Sequence, residues 1–306
     1  MIGIGHQTSA VNDIAAPAHA GSSRAVDAVP APALLIGSIV SIQVGASIAV
    51  HLFPAIGPVG TTFLRLLIAS PLLILAFRRS IDATLRRNAG WLVLFGFTIA
   101  ATNLAFYGAI SRIPLGLAVA IEFVGPLGLA ALTSRKPLDF AWIGLAAVGL
   151  GLLTPEIGST LDPLGVGLAL VAGAGWAGIV VLSRRVGQRV TGNAGLAFAM
   201  VAATAFALPF ELAIGGLEHL DLELLGAAAV VAVLSTALPL SLEFEALKRV
   251  TPRTYGIFMT LEPVVAAVAG AVLLSQALDS KLVVAVACVT IAALGVTITD
   301  RRNVLA

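Results

Sequence analysis

Two glutamates stand inside long apolar runs. Glu122 lies near the middle of Leu115 to Leu132, LGLAVAIEFVGPLGLAAL, and Glu262 lies in a later run, directly before Pro263. A carboxylate near a bilayer centre costs on the order of 2.5 to 3.5 kcal/mol on insertion scales, so it faces a protein interior or a watery cavity. There it can exchange a proton as its surroundings change, which suits proton coupling; an internal pair or a hydrogen bond to a neighbouring helix is the structural alternative. Arg65, in another apolar run, either snorkels to the interface or pairs with an acid, or offers its fork of donors to a substrate carboxylate. Gln43 in the first run, and Asn103 and Tyr107 one turn apart in the third, are uncharged groups able to line a polar cavity, as are Ser41 and Ser47. Glu243, near the end of the eighth run, is a further candidate, whereas Glu245 beside Lys248 and Arg249 reads as a solvated interfacial charge.

The element that must position Glu122 is a helix. Eighteen residues from Leu115 to Leu132 span roughly 27 Å, close to the hydrocarbon thickness. Four residues after Glu122, Pro126 lacks the N–H that would bond the Glu122 carbonyl, so a freed acceptor is expected beside the acid. Aligning Arg112 with Arg249 places Pro126 on Pro263 at an offset of 137 residues. Glu122 then falls opposite Met259, so helix and proline repeat while the carboxylate is displaced by a turn.

Composition points the same way. Of 306 residues 58% are apolar and 11% charged, and the mean hydropathy is +1.02, which a soluble domain's surface does not allow. The chain reads as an all-α polytopic membrane protein. Apolar spans are expected near 33–52, 59–77, 90–110, 115–133, 139–154, 164–183, 194–214, 223–244, 254–274 and 281–299, ten in all. Counting alternate loops, one side holds fifteen of the eighteen Lys and Arg residues, the other only Arg112 and Lys281, and Arg65 lies within a span. That bias puts both termini in the cytoplasm and explains the basic pI without a nucleic-acid partner. Five helices per half give two inverted five-helix repeats, residues 32–155 and 156–300, with a site where the halves meet near the midplane. Residues 1–31, rich in Ala, Ser, Gly and Pro, read as a flexible cytoplasmic tail rather than a signal peptide, and 301–306 as a cytoplasmic C-terminus. Asp162-Pro163 and Thr251-Pro252 mark helix starts.

Other chemistries find little support. The single cysteine, Cys288, lies in an apolar span and reads as packing. The histidines show no metal-ligand spacing, so no metal and no cofactor is expected. No span carries a nucleophile–base dyad or a GxGD acid pair, which argues against an intramembrane enzyme. A passive channel is a less favoured alternative. Gly149, Gly151, Gly173 and Gly175 read as sites of close helix approach, and Trp91, Trp142 and Trp176 as interface anchors or packing.

Taken in order, Ser41-Ile42-Gln43, Gly45-Ala46-Ser47, Leu52-Phe53-Pro54, Arg65, Ala118-Val119-Ala120, Glu122-Phe123 and Gly125-Pro126-Leu127 form a pattern. It continues with Gly173 to Ala177, Ser235 to Pro239, Ser241-Leu242-Glu243, Pro252-Arg253-Thr254 and Glu262-Pro263. Over about residues 33–300 the chain resembles the EamA branch of the drug/metabolite transporter superfamily. The resemblance implies a secondary active exporter in the bacterial inner membrane, with lipid around it and protons and a small amino acid of the threonine and homoserine class as its partners. Another metabolite or a drug is the alternative cargo. Many relatives carry a Gly-Glu pair where this chain has Ser134-Arg135 and Ser275-Gln276, so an acid at those points is not essential here.

Overall fold

The computed structural model describes residues 29–78, 81–133, 137–152, 160–190, 194–214, 216–247, 249, 255 and 258–299. All regular elements among them are helices: α1 (Ala31–Phe77), α2 (Ala83–Arg87), α3 (Ala89–Ile110), α4 (Leu115–Glu122), α5 (Val124–Thr133), α6 (Pro137–Gly151) and α7 (Pro163–Gly187). They continue with α8 (Ala194–Ile214), a 3₁₀ turn at Leu217–His219, α9 (Leu222–Ala232), a π-helical turn at Val233–Ala237, α10 (Leu238–Leu247), α11 (Glu262–Leu274) and α12 (Ser280–Thr299). Among the described residues five stretches are long and apolar enough to cross a bilayer: α1, α3, α7, α8 and Leu222–Leu240. Shorter apolar helices lie at Leu115–Leu129, Phe140–Gly149, Glu262–Leu274 and Ser280–Gly295. The chain is an all-helical membrane protein.

Helix α1 has 47 residues, about 70 Å if straight, more than twice the hydrocarbon core. It therefore bends, and the bend is at Gly57, with φ 68° and ψ 169°. Glycine takes that positive φ without a Cβ clash, and Pro58 supplies no N–H to continue the ladder. The expected connection over residues 53–58 thus contracts to one residue. The 31–56 limb packs on α9, the π-helical turn and α10; the 58–77 limb packs on α8.

The run holding Glu122 differs from expectation. It is not one helix but two, α4 ending at Glu122 and α5 beginning at Val124 around Phe123. The missing N–H of Pro126 breaks the ladder rather than straining it. The later run is also interrupted, at Thr260 and Leu261, so Pro263 sits in the first turn of α11, where a missing N–H costs nothing. The interruptions at Phe123 and Thr260 share the 137-residue offset of Pro126 and Pro263.

Among the described residues four apolar clusters hold the bundle, and the two largest join most of its helices. One gathers α4, α11 and α12 with Ala46 and Ala49 of α1, Tyr107 of α3 and Ala169 of α7. The other joins the 58–77 limb, α3, the end of α7 and α8. Helices α4 and α11 cross closely, since a Cβ on Gly116 would lie 2.5 Å from the Ala267 Cα. Helix α7 presses on the α4–α5 break more tightly still: a Cβ on Gly125 would stand 1.8 Å from the Gly173 carbonyl oxygen. Because the obstacle is backbone, Gly125→Ala is expected to lose about 1–3 kcal/mol or more. Its melting temperature in detergent should fall, while Gly128→Ala, which meets nothing within 4 Å, should leave it nearly unchanged.

Contacts between connections sort into two groups. At one end, Arg185 and Arg189 stack over Trp91, Asn88 donates to the Arg189 carbonyl at 3.3 Å, and Arg249 donates to the Val29 carbonyl at 3.0 Å. At the other, Arg112 and Asp162 form a 2.7 Å salt bridge. There the Gln276 Oε1 accepts the Leu115 N–H at 3.1 Å, and a Cβ on Gly216 would meet the Ile56 carbonyl. Asp162 also caps α7 through the Leu164 N–H at 2.8 Å, as its place before Pro163 leads one to expect. Its carboxyl lies below the usual aspartate range because of the Arg112 hydrogen bond and then that N–H. Thr251-Pro252 and Ser134-Arg135 lie outside the described residues.

Candidate functional site

One cavity, of about 210 Å³, collects most of the polar residues singled out above. Gln43 comes from the first limb of α1, Arg65 from the second, Asn103 from α3, Glu122 from the end of α4 and Glu262 from the start of α11, and all five line it. The two helix interruptions explain why the acids meet there. Each places a glutamate at a helix end, Glu122 as the last residue of α4 and Glu262 as the first of α11.

Arg65 is the cation of the site. It is 9% exposed, lies over the Tyr107 ring at 5.1 Å, donates to Asn103 Oδ1 through Nη2, and donates to Thr236 Oγ1 through Nη1 at 3.5 Å. Its Nε has no hydrogen-bond partner. Among the described residues no carboxylate lies within ion-pair distance of it, so it neither snorkels to an interface nor closes a structural pair. Asn103 donates its own amide to the Ile99 carbonyl at 2.7 Å, so its oxygen is turned to the guanidinium. Thr236 belongs to the π-helical turn of Val233–Ala237, which meets the 31–77 helix through the Leu234 carbonyl, acceptor of the Ser41 hydroxyl at 2.6 Å, and the Thr236 hydroxyl. Such turns recur at functional sites.

The remaining polar groups are short of partners. No hydrogen bond within the described protein reaches the side chains of Glu122, Glu262 or Gln43, and the Gln43 Oε1 and Tyr107 hydroxyl are buried and unsatisfied. Buried polar groups in folded proteins are nearly always bonded, and leaving one unmade costs about 1–3 kcal/mol. A cavity lined by a cation, two carboxylates without hydrogen-bond partners, an amide and a phenol can hold a polar occupant. Phe106, Trp176 and Ile179 supply the apolar wall, with Trp176 set edge-on to Phe123 at 4.8 Å.

Glu243 is the candidate left outside this lining. Its carboxylate accepts from Ser38 at 2.6 Å and from Tyr255 at 2.8 Å, tying the start of α1 to α10. Pro126 and Pro263 do not line the cavity either; they act through the helix ends they impose. Trp176, read from sequence as an anchor or packing, is part of the cavity wall, and Thr102 and Ser235 join it without having been singled out for it. Ser47 instead bonds the Gln43 carbonyl at 2.9 Å along its own helix.

The sequence reading also passed over Glu211. It is 3% exposed, and its Oε1 accepts the N–H groups of Gly216 and Leu217 at 2.9 and 3.1 Å. Its position three residues from the end of α8 was the only signal. Glu211→Ala orphans both donors and is expected to cost about 2–4 kcal/mol. Glu211→Gln, which keeps an acceptor, should cost clearly less in the same thermal melt.

An all-helical membrane protein with a polar cavity enclosed by several of its helices is the architecture of a small-molecule carrier. The chain belongs to the EamA-like transporter family, whose model matches residues 163–298, so it belongs with transporters and not with enzymes. It is 40% identical over 288 residues to the threonine/homoserine exporter RhtA of Salmonella typhimurium strain LT2, covering 92% of this chain and 96% of that protein. The threonine/homoserine exporter RhtA of Escherichia coli strain K12 is 40% identical over 278 residues, with 88% and 92% covered. A protein of known crystal structure shares the fold at a TM-score of 0.61 and 17% identity, over 89% of this chain and 98% of that one.

Proposed function

We propose that this chain is a proton-coupled exporter of small hydroxylated amino acids of the threonine and homoserine class, working by alternating access in a bacterial inner membrane. The single observation that carries the proposal is the meeting of Arg65, Glu122 and Glu262 in one cavity with no ion pair among them. A zwitterion supplies both missing charges. Its carboxylate takes the Arg65 fork and its ammonium takes Glu122 or Glu262. The names of the 40% identical relatives support the cargo class. At about 210 Å³ the cavity is below the 300–1,000 Å³ of drug-sized sites, which favours an amino acid over the alternative of a drug.

The coupling follows from competition at the carboxylates. On the inner side the deprotonated acid holds the ammonium; on the outer side a proton takes its place and frees the substrate. The protonated carrier returns and loses the proton inside. The two halves, 32–155 and 156–300, act as inverted repeats that rock about this site. Support for that topology comes from the shared offset of the interruptions at Phe123 and Thr260. It also comes from the two groups of connection contacts, basic around Trp91 and mixed around Asp162, which support cytoplasmic termini.

Counterflow in proteoliposomes tests the cargo. Vesicles loaded with unlabelled threonine or homoserine should draw in labelled threonine well above protein-free vesicles, and glutamate or lysine loading should not. Exchange only with an unrelated metabolite would replace the amino-acid reading, and flux without exchange would mean a channel.

A further inference from the structure

In the proposed exporter the charged ends of the substrate are assigned, and two neutral groups are left over. The Gln43 side chain is 3% exposed and its amide has no protein partner, with Oε1 fully enclosed. The Tyr107 hydroxyl, on a residue 2% exposed, is likewise enclosed and unpartnered, although its ring is fixed by Phe53, Phe106 and the Arg65 guanidinium. Both residues line the same cavity as Arg65, Glu122 and Glu262. An amide presents an acceptor oxygen and donor hydrogens, and a phenol can do either, so each is matched to a neutral hydroxyl and not to a charge. A substrate hydroxyl brought against this wall offers both a donor and an acceptor to them; an amino acid with an apolar side chain offers neither.

We propose that Gln43, with Tyr107 in the same cavity wall, reads the side-chain hydroxyl of the substrate and so makes the carrier discriminate threonine from its methyl isostere valine. The proposal rests on the amino-acid reading of the site. A methyl group in place of the hydroxyl leaves buried polar atoms of the protein unpaired, and sites that bond a hydroxyl reject the analogue lacking it far more strongly than apolar pockets reject an added methylene. With one amide as the main reader the expected preference is about ten- to a hundredfold.

The test is competition in the same counterflow assay, threonine against valine and homoserine against norvaline. Wild-type protein should prefer each hydroxylated partner by that factor. In Gln43→Met, similar in volume but without hydrogen-bonding groups, the threonine-to-valine ratio should fall at least about tenfold, chiefly through a higher KM for threonine, and Tyr107→Phe should lower it less. Equal use of threonine and valine by the wild type overturns the proposal outright. So does an unchanged ratio in Gln43→Met, or an equal loss of both cargos in a Gln43→Met protein that is monodisperse on size exclusion, because Gln43 then only shapes the cavity. Wild-type protein that exchanges neither threonine nor valine fails the amino-acid reading itself, a result separate from these.

Discussion

Arg65→Lys is expected to lower threonine counterflow about ten- to a hundredfold, mainly by raising KM, although the positive charge is kept. The reason is geometric. The guanidinium is planar and is fixed by Asn103 Oδ1, Thr236 Oγ1 and the face of Tyr107, leaving its Nε side free for a carboxylate. An ammonium has three donors on one atom and cannot bond Asn103 and Thr236 while presenting a fork to a third partner. A hydrogen bond to a charged group contributes about 1.5–3 kcal/mol, which corresponds to the stated loss when one is removed. Asn103→Leu should show part of the same effect, since it frees the guanidinium without changing its charge. A lysine variant with wild-type KM would show that Arg65 contributes only a positive potential.

The second large effect is expected at Glu122. Glu122→Gln should abolish movement of threonine driven by a pH gradient, and should flatten the pH dependence of exchange, while leaving measurable counterflow. The amide keeps the size and can accept from the ammonium, but it neither loses nor gains a proton, so substrate and proton no longer compete for one group. Its fold should survive, since a neutral group is cheaper within the membrane than a carboxylate. If Glu122→Gln retains gradient-driven accumulation and Glu262→Gln loses it, the competing carboxylate is Glu262 and the role argued for Glu122 is wrong.

Much of this site was legible in the chain because a membrane protein writes its polar residues against an apolar background. Arg65, Glu122 and Glu262 were each the only charged residue of a span, and Gln43 and Asn103 the only amide of theirs, and the cost of burying them was enough to single them out. Trp176 carried no such contrast, since an aromatic ring in an apolar run is equally well explained by packing. The π-helical turn at Val233–Ala237 was invisible for another reason. It depends on which residues of α1 lie opposite it, Ser41 and Arg65 among them, a tertiary fact with no local periodicity. The surroundings of Glu243 were not legible, because its partners, Ser38 and Tyr255, lie 205 residues before it and 12 after it. Pro126 and Pro263 were recognised as a repeat, but a proline announces only that a helical bond is missing; whether the helix kinks or ends is decided by what packs on it. At Phe123 the close approach of Gly173 decides it.

The most direct measurement is labelled threonine movement into proteoliposomes of the purified protein with an acidic interior and a neutral exterior, compared with no gradient and with a gradient collapsed by a protonophore. Exchange of substrate for protons predicts that threonine accumulates on the acidic side above its external concentration, and that the protonophore abolishes the accumulation. Threonine that only equilibrates, at a rate indifferent to the gradient, would contradict the coupling that the cavity's carboxylates are proposed to provide.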